Sequence, residues 1–186
     1  MRAFIAFKIS EDAGRELGRI QMEIARRNPD VKIKWVNVND AHITLEFLGD
    51  IADTQAEQVK SYLNTIIVQY KYFTFQLNKI NAFPNLNSPN ILTVEVKEQY
   101  GDVSFNLEEE IHNALAKIGL NLENKNWHPH ITLGRVKSGP GGPIAVDNLS
   151  VQSISWEIKE VFFIKSELTP AGPIYQTIQS YKLHSS

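Results

Sequence analysis

Two identical tetrapeptides hold the residues best suited to chemistry: His42-Ile43-Thr44-Leu45 and His130-Ile131-Thr132-Leu133. On an extended strand side chains alternate, so each histidine shares a face with the threonine two positions on. One such pair offers an imidazole, with an ordinary pKa near ~6.5, beside a neutral hydroxyl. Two pairs facing one cavity suit displacement at phosphorus. A neutral imidazole takes a proton from water, an imidazolium gives one to the leaving oxygen, and the hydroxyls stabilise charge on the non-bridging oxygens. That chemistry needs neither a metal nor another cofactor. A lone His-x-Thr is ordinary strand sequence. Two copies in a repeat are poor core material, because an imidazole and a hydroxyl on one face are costly to bury unpaired.

The neighbours divide into candidates and bystanders. Strand alternation puts Glu46 on the face of His42, where it could orient the site. Arg135 has the parity of Ile131 and Leu133, so it reaches the cavity only if the strand twists or bulges near Gly134. Phe47 and Trp127 could stack on a base, with packing as the competing role for each; Arg135 could contact a phosphate. His128 and His130 form H-x-H, which His42 could join, but no carboxylate or cysteine stands beside them at ligand spacing, and no metal site is assigned. His112 falls off the apolar stripe of its helix and reads as solvated, and His184 as incidental.

The elements that must position these residues are legible in outline. "AFIAF" (3 to 7) reads as a buried strand, followed by a helix capped by Ser10, with Ala13, Leu17, Ile20 and Ile24 at helical spacing. The first HIT strand precedes a helix starting near Thr54, with Glu57 completing a capping box. "FTFQL" (73 to 77) alternates as a strand, and the Asn- and Pro-rich stretch 81 to 90 reads as a loop. "ILTVEV" is a strand, then Ser104 caps a helix that ends at Gly119. After the second HIT strand comes a turn-rich "SGPGGP" loop (138 to 143). Two strands near 154 to 165 and 174 to 183 follow, separated by "TPAGP". Strand, helix, Trp35 and His42 are thus echoed by strand, helix, Trp127 and His130, with the histidines 130 − 42 = 88 positions apart. Two similar lobes facing each other are expected, each giving one HIT strand.

Composition bounds the rest. At 186 residues, 42% hydrophobic and 22% charged, the chain fits one globular domain, 1–186, built as two lobes. A net charge of −2 is unlike a protein that coats long nucleic acid, so any nucleic-acid role is local, at one end or one phosphate. With no cysteine there is no disulfide framework and no thiolate metal site. No membrane-length apolar run or signal peptide is evident, and a cytoplasmic location is the default.

The paired motifs resemble those of the 2H phosphoesterase superfamily. More closely, "RAFIAF", "HITLEFLGD", "FPN" before "ILTVEV", "HPHITLGRV" and "SELTPAGPIY" resemble the RNA 2′,3′-cyclic phosphodiesterases, also called 2′-5′ RNA ligases, along nearly the whole chain. Asp40-Ala41 stands where that family commonly has Asn-Leu. The resemblance implies an α+β fold of two pseudo-twofold-related lobes, with antiparallel sheets, helices outside and a central cleft. It implies metal-independent opening of a terminal 2′,3′-cyclic phosphate to a 2′-phosphate, with 2′-5′ ligation as the reverse chemistry. His42 would then be the acid for the leaving 3′ oxygen, His130 the base for water, and Thr44 and Thr132 the phosphate holders. The expected partner is an RNA 3′ end, with no membrane, and the expected state is a monomer. Another cyclic phosphate, such as that of ADP-ribose, RNA 3′-end trimming, or RNA-end binding without turnover are the competing readings.

Overall fold

The run "AFIAF" forms the inside of strand β1 (Arg2–Lys8), with Ala3 to Phe7 all buried. In the computed structural model, which describes residues 1–123, 126–138, 142–170 and 172–185, β1 leads into α1 (Glu11–Arg27), β2 (Lys32–Trp35) and a 3₁₀ turn (Val38–Asp40). Then come β3 (His42–Asp50), α2 (Asp53–Ile67), β4 (Phe73–Phe83), β5 (Ile91–Gln99) and α3 (Val103–Lys117). β6 (His130–Ser138), β7 (Ser155–Ile158), β8 (Glu160–Thr169) and β9 (Gly172–Lys182) complete the chain. Residues 139–141 of the expected "SGPGGP" loop and residue 171 of "TPAGP" lie outside the described residues.

The strands form one sheet in the order β7-β4-β5-β6-β3-β1-β8-β9, with β2 also paired to β6. The halves β6-β5-β4-β7 and β3-β1-β8-β9 are therefore joined edge to edge within one sheet, rather than being two separate sheets. The seam is a single pairing, Ile43 with Ile131. Register refines the repeat: Phe7 faces Ile43 as Val94 faces Ile131, an offset of 94 − 7 = 87.

Helices α1, α2 and α3 cover one face of this sheet. Leu17, Ile20 and Ile24 of α1, Val59 and Leu63 of α2, and Leu107, Ile111 and Leu115 of α3 share a core with Ile5, Phe7, Ile43, Val94 and Ile131. Each large apolar side chain buried there contributes about 1.5–3 kcal/mol. Among the described residues, the other face carries a small cluster, Phe4, Ala6 and Ile164 with Phe162 and Tyr175 against it. That face is left for a cleft.

The three described α-helices are capped in three different ways. Ser10 Oγ accepts from the Ala13 N–H at 3.2 Å, as its position predicts. The α2 box is shifted: Gln55 Oε1 accepts from the Ala52 N–H at 3.0 Å, while Glu57 pairs with Lys60. At α3 the capping group comes from β5, since the Glu98 carboxylate accepts from Val103 and Ser104 N–H at 2.9 and 2.7 Å. A long-range cap of this kind leaves no local sequence signal. β4 also runs to Phe83, so Asn81 to Phe83, read as loop, are strand held by pairing to Ile91–Thr93.

Candidate active site

The seam places the two motifs. Partners opposite each other in an antiparallel pair point to the same face, so Ile43 and Ile131 go together into the helical core, both 0% exposed. His42 then lies opposite Thr132, and Thr44 opposite His130, all four on the open face and each half-buried. Cross-strand neighbours are about 5 Å apart at Cβ and diagonal ones about 7–8 Å. The two imidazoles therefore occupy one diagonal of a small square and the two hydroxyls the other. Two side chains so arranged can bracket one phosphate group.

Both rings are anchored identically. His42 Nδ1 is 2.7 Å from the Asp40 carbonyl oxygen, and His130 Nδ1 is 2.7 Å from that of His128. A carbonyl only accepts, so each Nδ1 carries hydrogen and each Nε2 is left to exchange a proton in the cleft. Aromatic rings fix the ring planes. Phe4 stacks on His42 with centroids 4.8 Å apart, Tyr175 meets it edge-on at 5.3 Å, and Phe83 lies 5.2 Å from the ring of His130. Burial pushes the His42 pKa below its ordinary value, opposed by the Asp40 carbonyl and carboxylate and reinforced by His130.

Downstream of each threonine the strand bulges, and the bulge decides which neighbours face the cleft. Ile5 pairs with Glu46 and Ala6 with Thr44, leaving Leu45 as the extra residue; Leu92 pairs with Gly134 and Thr93 with Thr132, leaving Leu133 extra. The second bulge is held through the Leu133 carbonyl, which accepts from Val36 N–H at 2.9 Å and Gln21 Nε2 at 3.0 Å. After each bulge the alternation is inverted. Arg135 therefore turns to the cleft face, as required for it to reach the site. Phe47, which alternation put with the core, occupies the equivalent place on β3, 60% exposed and 6.1 Å from Phe4.

Glu46 goes the other way. It is not on the face of His42: the bulge sends it behind the sheet, 7% exposed, where it lies 2.6 Å from His112 Nδ1. His112 is thus half-buried and paired rather than solvated. Burial raises the Glu46 pKa despite the histidine, and Glu108 beside it is pushed up to about 7 by burial and by the Glu46 charge. Glu46, Glu108 and His112 bring ligand-type atoms within 4.8 Å of one another, on the helix side and away from the histidine square.

Trp127 is not free to stack in the way expected of it. Its indole N–H donates to the Thr44 carbonyl at 2.8 Å and its ring packs edge-on against Phe105 at 5.2 Å, bracing the start of β6 against β3. Trp35 is not its counterpart. It pairs with Gly134, where a Cβ would meet Ile33 Cγ2 at 2.8 Å and Trp35 Cε3 at 3.0 Å. His128 is exposed and contributes its carbonyl, and His184 makes an isolated bridge to Lys71. Phe4, Tyr175 and Phe83 were missed as site residues. Phe4 sits in a run that reads as pure core.

A duplicated His-x-Thr strand pair, set in pseudo-twofold halves of one antiparallel sheet, defines a two-histidine phosphoesterase. The chain belongs to the LigT-like phosphoesterase family, whose pattern matches it twice, over residues 7–93 and 94–175. The two matches begin at Phe7 and Val94, the pair that the sheet register equates. The chain is 31% identical to the RNA 2′,3′-cyclic phosphodiesterase of Aquifex aeolicus (strain VF5) over 98% of its own length and 97% of the relative's. Its fold is similar to that of a crystal structure from Thermus thermophilus, with a TM-score of 0.85, 22% identity and 100% of both chains covered. It is also similar to E. coli LigT complexed with 3′-AMP, with a TM-score of 0.78, 20% identity, and 98% of this chain and 97% of that one covered. Among the described residues, no helix is long and apolar enough to cross a membrane.

Proposed function

We propose that this chain hydrolyses the 2′,3′-cyclic phosphate at an RNA 3′ end to a 2′-phosphate, using His42 and His130 as an acid–base pair and no metal ion. The observation that carries the reading is the square of two imidazoles and two hydroxyls at the Ile43–Ile131 seam, with both Nδ1 atoms held by backbone carbonyls. The name carried by relatives that align over nearly the whole chain supports the choice of substrate. Which histidine is acid and which is base comes from the family resemblance alone. His130 Nε2 takes a proton from water, whose oxygen attacks phosphorus. The bond from phosphorus to O3′ breaks, and His42 gives O3′ its proton. Thr44 and Thr132 donate to the non-bridging oxygens. The same steps with an RNA 5′-hydroxyl in place of water give 2′-5′ ligation, and run backwards they cleave that linkage to the cyclic phosphate.

Arg135 contacts an RNA phosphate and Phe47 offers an exposed face to the terminal base. Trp127 takes the bracing role that its hydrogen bond dictates. A cavity of about 610 Å³ opens beside His42, bounded by Lys8, Ser10, Asn39, Asp40, Tyr175 and Thr177, and suits a nucleoside. Both histidines lie in one chain, so a monomer contains the whole site. An RNA ending in a labelled 2′,3′-cyclic phosphate, incubated in excess chelator, is expected to yield a 2′-monophosphate. A 3′-monophosphate product, or activity that vanishes with chelation, contradicts the proposal.

A further inference from the structure

The two halves of the cleft floor are related by the repeat yet differ in polarity. Beside His42, β1 presents Lys8 and Ala6, and β8 continues the row from Ala6 with Phe162. At the equivalent positions beside His130, β5 presents Glu95 and Thr93, and β4 continues the row from Thr93 with Asn81. Glu95 lies directly opposite His130 in the ladder, so its carboxylate and the imidazole rise from the same face about 5 Å apart at Cβ. The carboxylate is held in place: Asn81 Nδ2 donates to Oε1, and Lys79 Nζ lies 3.5 Å from Oε2. It is nonetheless 29% exposed at the side chain, so it can meet solvent. Next to it, Thr93 is 0% exposed and its hydroxyl has no hydrogen-bond partner among the described residues, unusual for a buried group and a second sign that this floor is built for polar company.

Nothing in the acid–base scheme uses Glu95. We propose that Glu95 seats the attacking water against His130 and so biases the enzyme toward hydrolysis over ligation. This rests on the phosphodiesterase reading. Water has two hydrogens. One goes to His130 Nε2 as the oxygen attacks phosphorus, and the other is donated to the Glu95 carboxylate, which fixes the lone pair's direction. An alcohol has one hydroxyl hydrogen, which it must give to His130, so Glu95 does nothing for it and its carbon crowds the same place. An RNA 5′-hydroxyl is such an alcohol. Asn81 and Lys79 act through Glu95 and are positioning residues.

The test is the partition of one substrate between two nucleophiles. A short RNA with a terminal 2′,3′-cyclic phosphate is turned over in buffer containing methanol, and the 2′-monoester and 2′-methyl diester are separated and counted. Glu95→Gln is expected to lower kcat for hydrolysis by about 10-fold to 10²-fold, the scale of a misplaced reactant, with KM little changed. The ratio of methyl diester to monoester should rise. Asn81→Ala should move the ratio the same way by less, and Glu95→Asp should restore part of the preference for water. General damage to the fold would slow both nucleophiles together and leave the ratio alone. An unchanged ratio in folded Glu95→Gln, with wild-type protein hydrolysing normally, overturns the role of Glu95 alone. Wild-type protein that opens no cyclic end overturns the phosphodiesterase reading and this inference with it.

Discussion

The half of the sheet that holds His42 and the half that holds His130 share a backbone plan down to a bulged leucine, yet they surround their histidines differently. His42 is walled by Phe4 and Tyr175 with Ala6 and Phe162 nearby, whereas His130 faces Glu95 across the ladder with Thr93 and Asn81 on the same floor. Behind the sheet the contrast recurs. Glu46 meets His112 on one side, while Gly134, in the equivalent place, is packed tight by β2 on the other. What the halves keep in common is the imidazole, the hydroxyl, the anchoring carbonyl and the bulge. Those are the parts that a symmetric object, one phosphate, needs from both sides. What differs is what the proposed asymmetric reaction would need: the O3′ atom departs from phosphorus on one side and water arrives on the other.

The comparison is broken most severely by removing either imidazole. His42→Ala and His130→Ala should each lower kcat/KM by roughly 10²-fold or more, and the double variant should fall little further because the two act as a unit. Independent, multiplying losses would show that the halves do not share one reaction. In the wild type, burial of His42 lowers its pKa, so loss of the protonated acid should bring the alkaline limb of kcat/KM lower than an unburied histidine would place it. The limb should move up in kcat, where the bound phosphate anion favours the imidazolium.

Gly134→Ala tests the backing of the His130 half alone. Its Cβ would sit 3.0 Å from the Lys34 carbonyl oxygen and closer to Ile33 Cγ2, so β2 must shift. A loss of about 1–3 kcal/mol in urea unfolding is expected; an unchanged midpoint would show that β2 yields freely. Trp127→Phe removes the indole hydrogen bond that ties the approach to β6 to Thr44, and should cost about 1 kcal/mol of stability with a modest fall in kcat. A variant as stable as wild type would remove the brace from the account.

The smallest effect lies behind the His42 half. A carboxyl raised from 4.5 to about 7 makes the native state hold more protons than the unfolded chain between those values. Wild-type stability therefore declines as pH rises through that window. Glu108→Gln should be more stable than wild type by about 1 kcal/mol at pH 8, after allowing for solvent screening, and no more stable at pH 4. Thermal unfolding at the two pH values reads this directly, and an equal gain at both would show that ionising Glu108, disfavoured by burial and by Glu46, is not the cause.

Much of the His-x-Thr geometry was legible because alternation and repetition are local and periodic. Ile43 and Ile131 had to be buried if His42 and His130 were not, and the structure pairs them. The illegible parts all involve an interruption of period or a partner far along the chain. A bulge at Leu45 cannot be read from "HITLEFLG", so Glu46 and Phe47 were assigned to each other's faces. At Leu133 the following glycine hinted at the bulge, and Arg135 was understood conditionally. His112, Trp127 and Glu98 each act through a residue distant in sequence or in another element, Glu46, Thr44 and the start of α3. β2 is too short and too polar to announce itself.

The division of labour between the halves is tested most directly by changing the leaving atom. A substrate whose cyclic phosphate carries sulfur in place of the bridging O3′ departs as a thiolate and needs no proton. If His42 is the acid and His130 the base, sulfur should restore His42→Ala to near the wild-type rate on the same substrate, while His130→Ala stays slow. Restoration of His130→Ala instead would reverse the assignment, and restoration of neither would contradict acid–base catalysis shared across the seam.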